Sequence, residues 1–133
     1  MKFLHLSFFI ISFAICALTC KTVNFKPDFE IAGGFVLGKE ECNTDTTRDY
    51  WLVDLSIFSS PNPYGDSLII NGFSYKHVVK TIDLAPQFKY FGAKVSFDFH
   101  LSSTIVQTTN CTVTMPVTYL LEEMQVLRQS EIR

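Results

Sequence analysis

Asp98 and His100 stand two residues apart in Lys94-Val95-Ser96-Phe97-Asp98-Phe99-His100-Leu101, so in an extended chain their side chains are neighbours on one face. A carboxylate beside an imidazole could hold a metal ion or pass a proton. A polar strand face turned to water needs only the same alternation, and it is the expected reading. Glu40, Glu41, Asp45 and Asp49 crowd one short stretch. Carboxylate oxygens are what Ca²⁺ binds, but the spacing is not that of an EF-hand loop, and a solvated acidic loop is expected there. His77 has Tyr75 and Val79 beside it on its face and reads as structural. No CxxC or HxxxH spacing offers a zinc site. No serine sits in GxSxG and no glycine-rich phosphate loop occurs. Catalysis and cofactors are therefore not expected; a hydrolase built on Asp98 and His100 would have to lose turnover when they are replaced. Tyr50, Trp51, Tyr64 and Tyr75 could form an aromatic platform for a sugar or peptide, although Trp51 suits a core equally well.

The N-terminus carries an address. Lys2 precedes a nearly continuous apolar run from residue 3 to 17, and Lys21, Asn24, Lys26 and Asp28 follow at once. A membrane span needs ~20 apolar residues, so this stretch reads as a signal peptide over residues 1–19. Ala17-Leu18-Thr19-Cys20 resembles the lipobox of bacterial lipoproteins. That resemblance implies that Cys20 becomes the lipidated first residue of the mature chain, with residues 20–27 as a tether to the membrane. The alternative is a cut after Ala14-Ile15-Cys16 by an ordinary signal peptidase, which would release a soluble secreted chain.

Of the four cysteines, Cys16 lies in the signal and Cys20 is the lipidation candidate, leaving Cys42 and Cys111. Two thiols remaining in an exported domain are expected to be oxidised to each other. Asn110-Cys111-Thr112 fits the N-x-T glycosylation pattern, which matters only in a eukaryotic secretory route. Without Lys2 the chain has ten Lys and Arg against thirteen Asp and Glu, a net charge of −3. Nucleic acid is thereby disfavoured as a partner, since phosphate binding calls for a basic stripe. The expected partners are the membrane, through the N-terminal lipid, and an unidentified protein, peptide or saccharide.

Residues 28–133 read as one domain, without repeat or linker. Residues 29–37 and 50–58 alternate as strands, and Gly33-Gly34 suggests a bulge. Asn71-Gly72 joins residues 67–70 and 73–82 as a hairpin. Asp83, Pro86 and Gly92 are placed to start and stop a helix over residues 84–91. Residues 94–101 form the clearest strand. Residues 117–128 lean to strand, with a parity slip near Glu122-Glu123, although Leu120, Met124 and Leu127 also fit a helical stripe.

This order is that of a mainly β, five-stranded OB-like Greek-key barrel with a short helix between strands 3 and 4. A soluble, secreted, lipid-carrying β-sandwich, whose cavity the many Phe residues would line, is the alternative. In such a barrel Cys42 and Cys111 lie in the two loops of one end, the end by which the exported domain is expected to bind or scaffold a ligand. The lipobox, Tyr50-Trp51-Leu52-Val53-Asp54, Tyr75-Lys76-His77-Val78-Val79-Lys80 and Gly92-Ala93-Lys94-Val95 together resemble small uncharacterised lipoproteins of Gram-negative bacteria. That resemblance implies an envelope location and no particular activity.

Overall fold

A computed structural model describes residues 28–59 and 64–133. The signal, Cys20, the tether and the turn at 60–63 lie outside the described residues. Six strands run in chain order: β1 (Glu30–Lys39), β2 (Trp51–Ser59), β3 (Asp66–Ile70), β4 (Phe73–Thr81), β5 (Lys94–Gln107) and β6 (Leu120–Glu131). Five of them close a barrel. β1 pairs antiparallel with β2 and β5, β2 with β4, and β5 with β6, while β4 meets β6 in parallel. The circuit β1–β2–β4–β6–β5–β1 is the small Greek-key barrel of OB type, and β3 extends it as the outer arm of a hairpin with β4.

Side-chain size explains which residues fill the barrel. Val53 and Leu55 from β2, Val79 from β4 and Val95, Phe97 and Phe99 from β5 point inward, as their alternation requires. In β1 the inward residues are Ala32 and Val36, while Ile31 faces out, the reverse of the parity its larger side chains suggest. Ala32 lies opposite Phe97, and only a small residue leaves room for that ring. The expected bulge is present, the β1–β2 register shifting between Gly33 and Phe35. A Cβ on Gly34 would come within 2.7 Å of the Asp54 carbonyl oxygen. Asn71 (φ 51°) and Gly72 (φ 83°) make the hairpin turn, both in the left-handed region that a type I′ turn needs.

The segment expected as a two-turn helix makes only one 3-10 turn, Pro86–Phe88. No helix can begin before Pro86, because Ala85, the residue preceding the proline, is extended (φ −65°, ψ 145°), and Gln129 of β6 clamps the same segment. Its side-chain oxygen accepts from the Ala85 N–H at 2.9 Å and its nitrogen donates to the Asp83 carbonyl at 3.0 Å. Leu84 and Phe88 are nonetheless buried and plug one end of the barrel.

The ambiguous C-terminal stretch is a strand. β6 turns Met124 and Val126 into the barrel and Leu121 onto its outer side, so strict alternation accounts for the parity slip without the bulge expected near Glu122-Glu123; the extra residue of β6 is Leu127, opposite Asp98 and Phe99. Residues 102–104 of β5 bulge opposite Glu123. A second apolar cluster lies outside the barrel wall. Leu37, Leu52, Val78 and Leu121 form it, with Leu68, Ile70, Tyr75 and Tyr119 packed over them.

Candidate functional site

The loop after β1 and the loop between β5 and β6 meet at one end of the barrel, where Cys42 and Cys111 are joined as a disulfide. The backbones bond as well. Glu41 and Val117 exchange two hydrogen bonds of 2.9 Å, and Thr112 and Val113 donate to the Cys42 carbonyl. Thr44 adds its N–H, which donates to the Thr112 hydroxyl at 2.8 Å. The loop of four carboxylates is not the open acidic surface its composition suggests. Glu40 and Asp49 are buried. Asp49 Oδ1 accepts from the Asn43 N–H at 2.8 Å and from the Cys42 N–H at 3.2 Å, so it holds the backbone beside the disulfide. Asp45 caps the short turn Thr46–Arg48, and the Thr47 hydroxyl and amide hold its carboxyl below the ordinary range. Among the described residues no three His, Cys, Asp or Glu side chains converge where a metal ion could sit.

Beneath the stapled loops lies an ion pair, Lys80 with Glu40, both fully buried. Lys80 shares the outer face of β4 with Val78, the face the loops cover. Its Nζ donates to the Thr108 hydroxyl at 2.7 Å, the Tyr119 carbonyl at 3.0 Å and Glu40 Oε1 at 3.4 Å, which occupies all three protons. Glu40 also accepts from the Tyr119 N–H at 2.9 Å and from the Thr108 hydroxyl at 2.5 Å. Such a closed network can keep two charges out of water without leaving either unpaired. Sequence reasoning missed it because alternation assigns Lys80 to solvent and carries no record of a loop folding back over that face.

The Tyr50 ring lies 5.0 Å from Lys80 Nζ, and its hydroxyl donates to Glu123 Oε1 at 3.2 Å. Burial is the main reason the Tyr50 hydroxyl is harder to deprotonate than usual; the charge and hydrogen bond of Glu123, then the charges of Glu40 and Asp83, add to it.

Glu123 opens onto a groove of about 470 Å³ on the outer wall, lined by Ile82, Asp83, His100, Leu101, Ser102, Glu123 and Gln125. Register builds it. His100 and Gln125 are partners across β5 and β6, Glu123 is the partner of Lys80 across β6 and β4, and the Gln129 clamp sets Asp83 at the rim. Asp98 does not join His100 in a shared site, since it pairs with Arg128 at 3.6 Å.

The four aromatics proposed as a platform occupy separate places. Tyr50 abuts Glu123. Trp51 packs against the main core, as does Tyr64, whose ring meets Phe99 edge-on at 5.5 Å and whose hydroxyl bonds Glu30. Tyr75 packs on the outer cluster. His77 is half-buried, as its apolar neighbours suggest. Among the described residues no helix is long and apolar enough to cross a membrane. No family model, curated protein or solved structure matches the chain.

Proposed function

We propose that this chain is an exported domain, held to the cell-envelope membrane through lipid on Cys20, that binds or scaffolds a ligand on its outer barrel wall without catalysing a reaction. The Cys42–Cys111 bond supports export, because such bonds persist in oxidising compartments. The observation that carries the binding role is the groove beside Glu123, where polar groups from β5, β6 and the turn after β4 meet the apolar side chains of Ile82 and Leu101. Side chains fill the barrel interior, and the disulfide and buried network close its loop end.

Two measurements test this reading. The intact mass of the chain, expressed with its own N-terminus in a Gram-negative host, should begin at an acylated Cys20 and rise by two hydrogens on reduction. An unmodified chain starting near Ala17 would instead support the released form, and an uncut chain would sink export altogether. A photoreactive residue placed at Ser102 on the groove should cross-link a discrete envelope component, whereas one at Asp45 on the stapled loop should not. Equal adducts from both positions, or none from Ser102, would remove the groove as the binding surface.

A further inference from the structure

The groove has a sign. Asp83 and Glu123 line it, and neither belongs to an ion pair among the described residues. Lys80 lies behind the wall, but Glu40 already compensates it. Around Tyr50 there are thus three carboxylates, Glu40, Glu123 and Asp83, against the one ammonium, and the retention of the Tyr50 proton reflects that negative field in part. Tyr50 binds one oxygen of Glu123 and so orients the carboxylate. Ile82, still 41% exposed, and Leu101 supply apolar surface along the same groove. His100, Ser102 and Gln125 add hydrogen-bonding groups.

Resting on the reading of this groove as the binding surface, we propose that it takes a basic side chain, lysine or arginine, presented by a partner protein. The carboxylates of Glu123 and Asp83 receive the cationic head, and Ile82 and Leu101 pack against its aliphatic stem. The opposite sign is excluded by Coulomb repulsion, since an anionic group would face two unneutralised carboxylates. A metal ion has too few convergent ligands here. The side chains of lysine and arginine combine a fixed positive charge with three or four methylene-length units of apolar stem, and that combination matches a groove acidic at its rim and apolar along its length.

The test titrates Nα-acetyl-arginine amide and Nα-acetyl-lysine amide into the oxidised, ¹⁵N-labelled full chain in neutral detergent. Nα-acetyl-norleucine amide serves as the uncharged control of similar stem. A single side chain should bind on the order of millimolar, with saturable amide shifts confined to the segments around Asp83, His100–Ser102 and Glu123–Gln125. Glu123→Gln and Asp83→Asn should each weaken that binding about fivefold or more, and Glu41→Gln, an exposed loop carboxylate outside the groove, should leave it unchanged. Raising salt from 50 to 500 mM should weaken it in the same direction. The amide spectrum itself reports whether each variant is folded. Equal binding of the norleucine control, or shifts indifferent to both groove substitutions, would overturn the cationic specificity while leaving the groove a binding site. No groove shift with any probe would overturn both.

Discussion

Lys80 is where a single residue bears most on the whole barrel. Its ammonium has no water to return to, so removing either partner of the Glu40 pair strands a charge inside the protein. Lys80→Met should cost about 3–5 kcal/mol of stability, measured by urea denaturation. Lys80→Met combined with Glu40→Gln should regain about 1–2 kcal/mol of that loss. The amide keeps an acceptor for the Tyr119 N–H and no longer carries an uncompensated charge. A double variant no more stable than Lys80→Met would mean that the pair is not what holds the network. Tyr50 gives a second reading of the same region. Its hydroxyl deprotonates above the ordinary value of 10.0, chiefly through burial and then through Glu123. The native state therefore keeps a proton that the unfolded chain releases. That contribution to stability is complete below pH 10 and is lost as pH climbs through the raised native value. Absorbance titration at 295 nm, with Tyr50→Phe as reference, should show the Tyr50 phenol titrating late, and Glu123→Gln should bring it earlier. No change in the variant would separate Tyr50 from Glu123.

Elements are joined at two places where geometry leaves little tolerance. The disulfide closes a sequence separation of 69 residues and couples two loops that also bond through Glu41, Val117 and Thr112. Replacing Cys42 and Cys111 with Ser should cost about 4 kcal/mol in the chain-entropy description. Amides 41–44 and 111–113 should lose most of their exchange protection before the strands do, which hydrogen exchange would resolve. In the β1 bulge, a methyl at Gly34 meets the Asp54 backbone, whereas one at Gly33 meets the side chains of Phe58 and Ile132. Gly34→Ala should thus cost about 1–3 kcal/mol and Gly33→Ala less, because an exposed ring can swing aside and a strand carbonyl cannot. Thermal melts that reverse this order would dismiss the close approach as the reason for glycine. These devices also mark how far the sequence could be read. The barrel, the Asn71-Gly72 hairpin, the Gly33-Gly34 bulge and the Cys42–Cys111 pairing were legible because each rests on local alternation, turn chemistry or counting. The Gln129 clamp on Asp83 and Ala85, the inward turn of Ala32 and the buried Glu40–Lys80 pair were not. Each depends on a partner tens of residues away whose position only the closed barrel fixes. The groove was illegible for the same reason, although alternation in β5 already turned His100 outward.

At the scale of the molecule, closure is the costly event. β1 completes the barrel only when it has found both β2 and β5, and the pairing of Glu30 with Phe99 spans most of the domain. Non-local pairing of this kind loses chain entropy before contacts return it, which places folding of such barrels in the millisecond-to-second range. The disulfide spans almost the same stretch of chain as the β1–β5 pairing, so an oxidised chain begins with that closure already made. If closure belongs to the transition state, the oxidised chain should fold roughly tenfold faster or more than the Cys42→Ser/Cys111→Ser variant. If closure follows the transition state, the disulfide should slow unfolding and leave the folding rate alone. We expect the first, because the main core, from Ala32 and Val36 to Phe97 and Phe99, cannot be buried until β1 and β5 are side by side. Trp51, the sole tryptophan, packs against that core and reports its formation in a stopped-flow experiment. A chevron in which oxidation moves only the unfolding limb would show that the core assembles before the barrel closes.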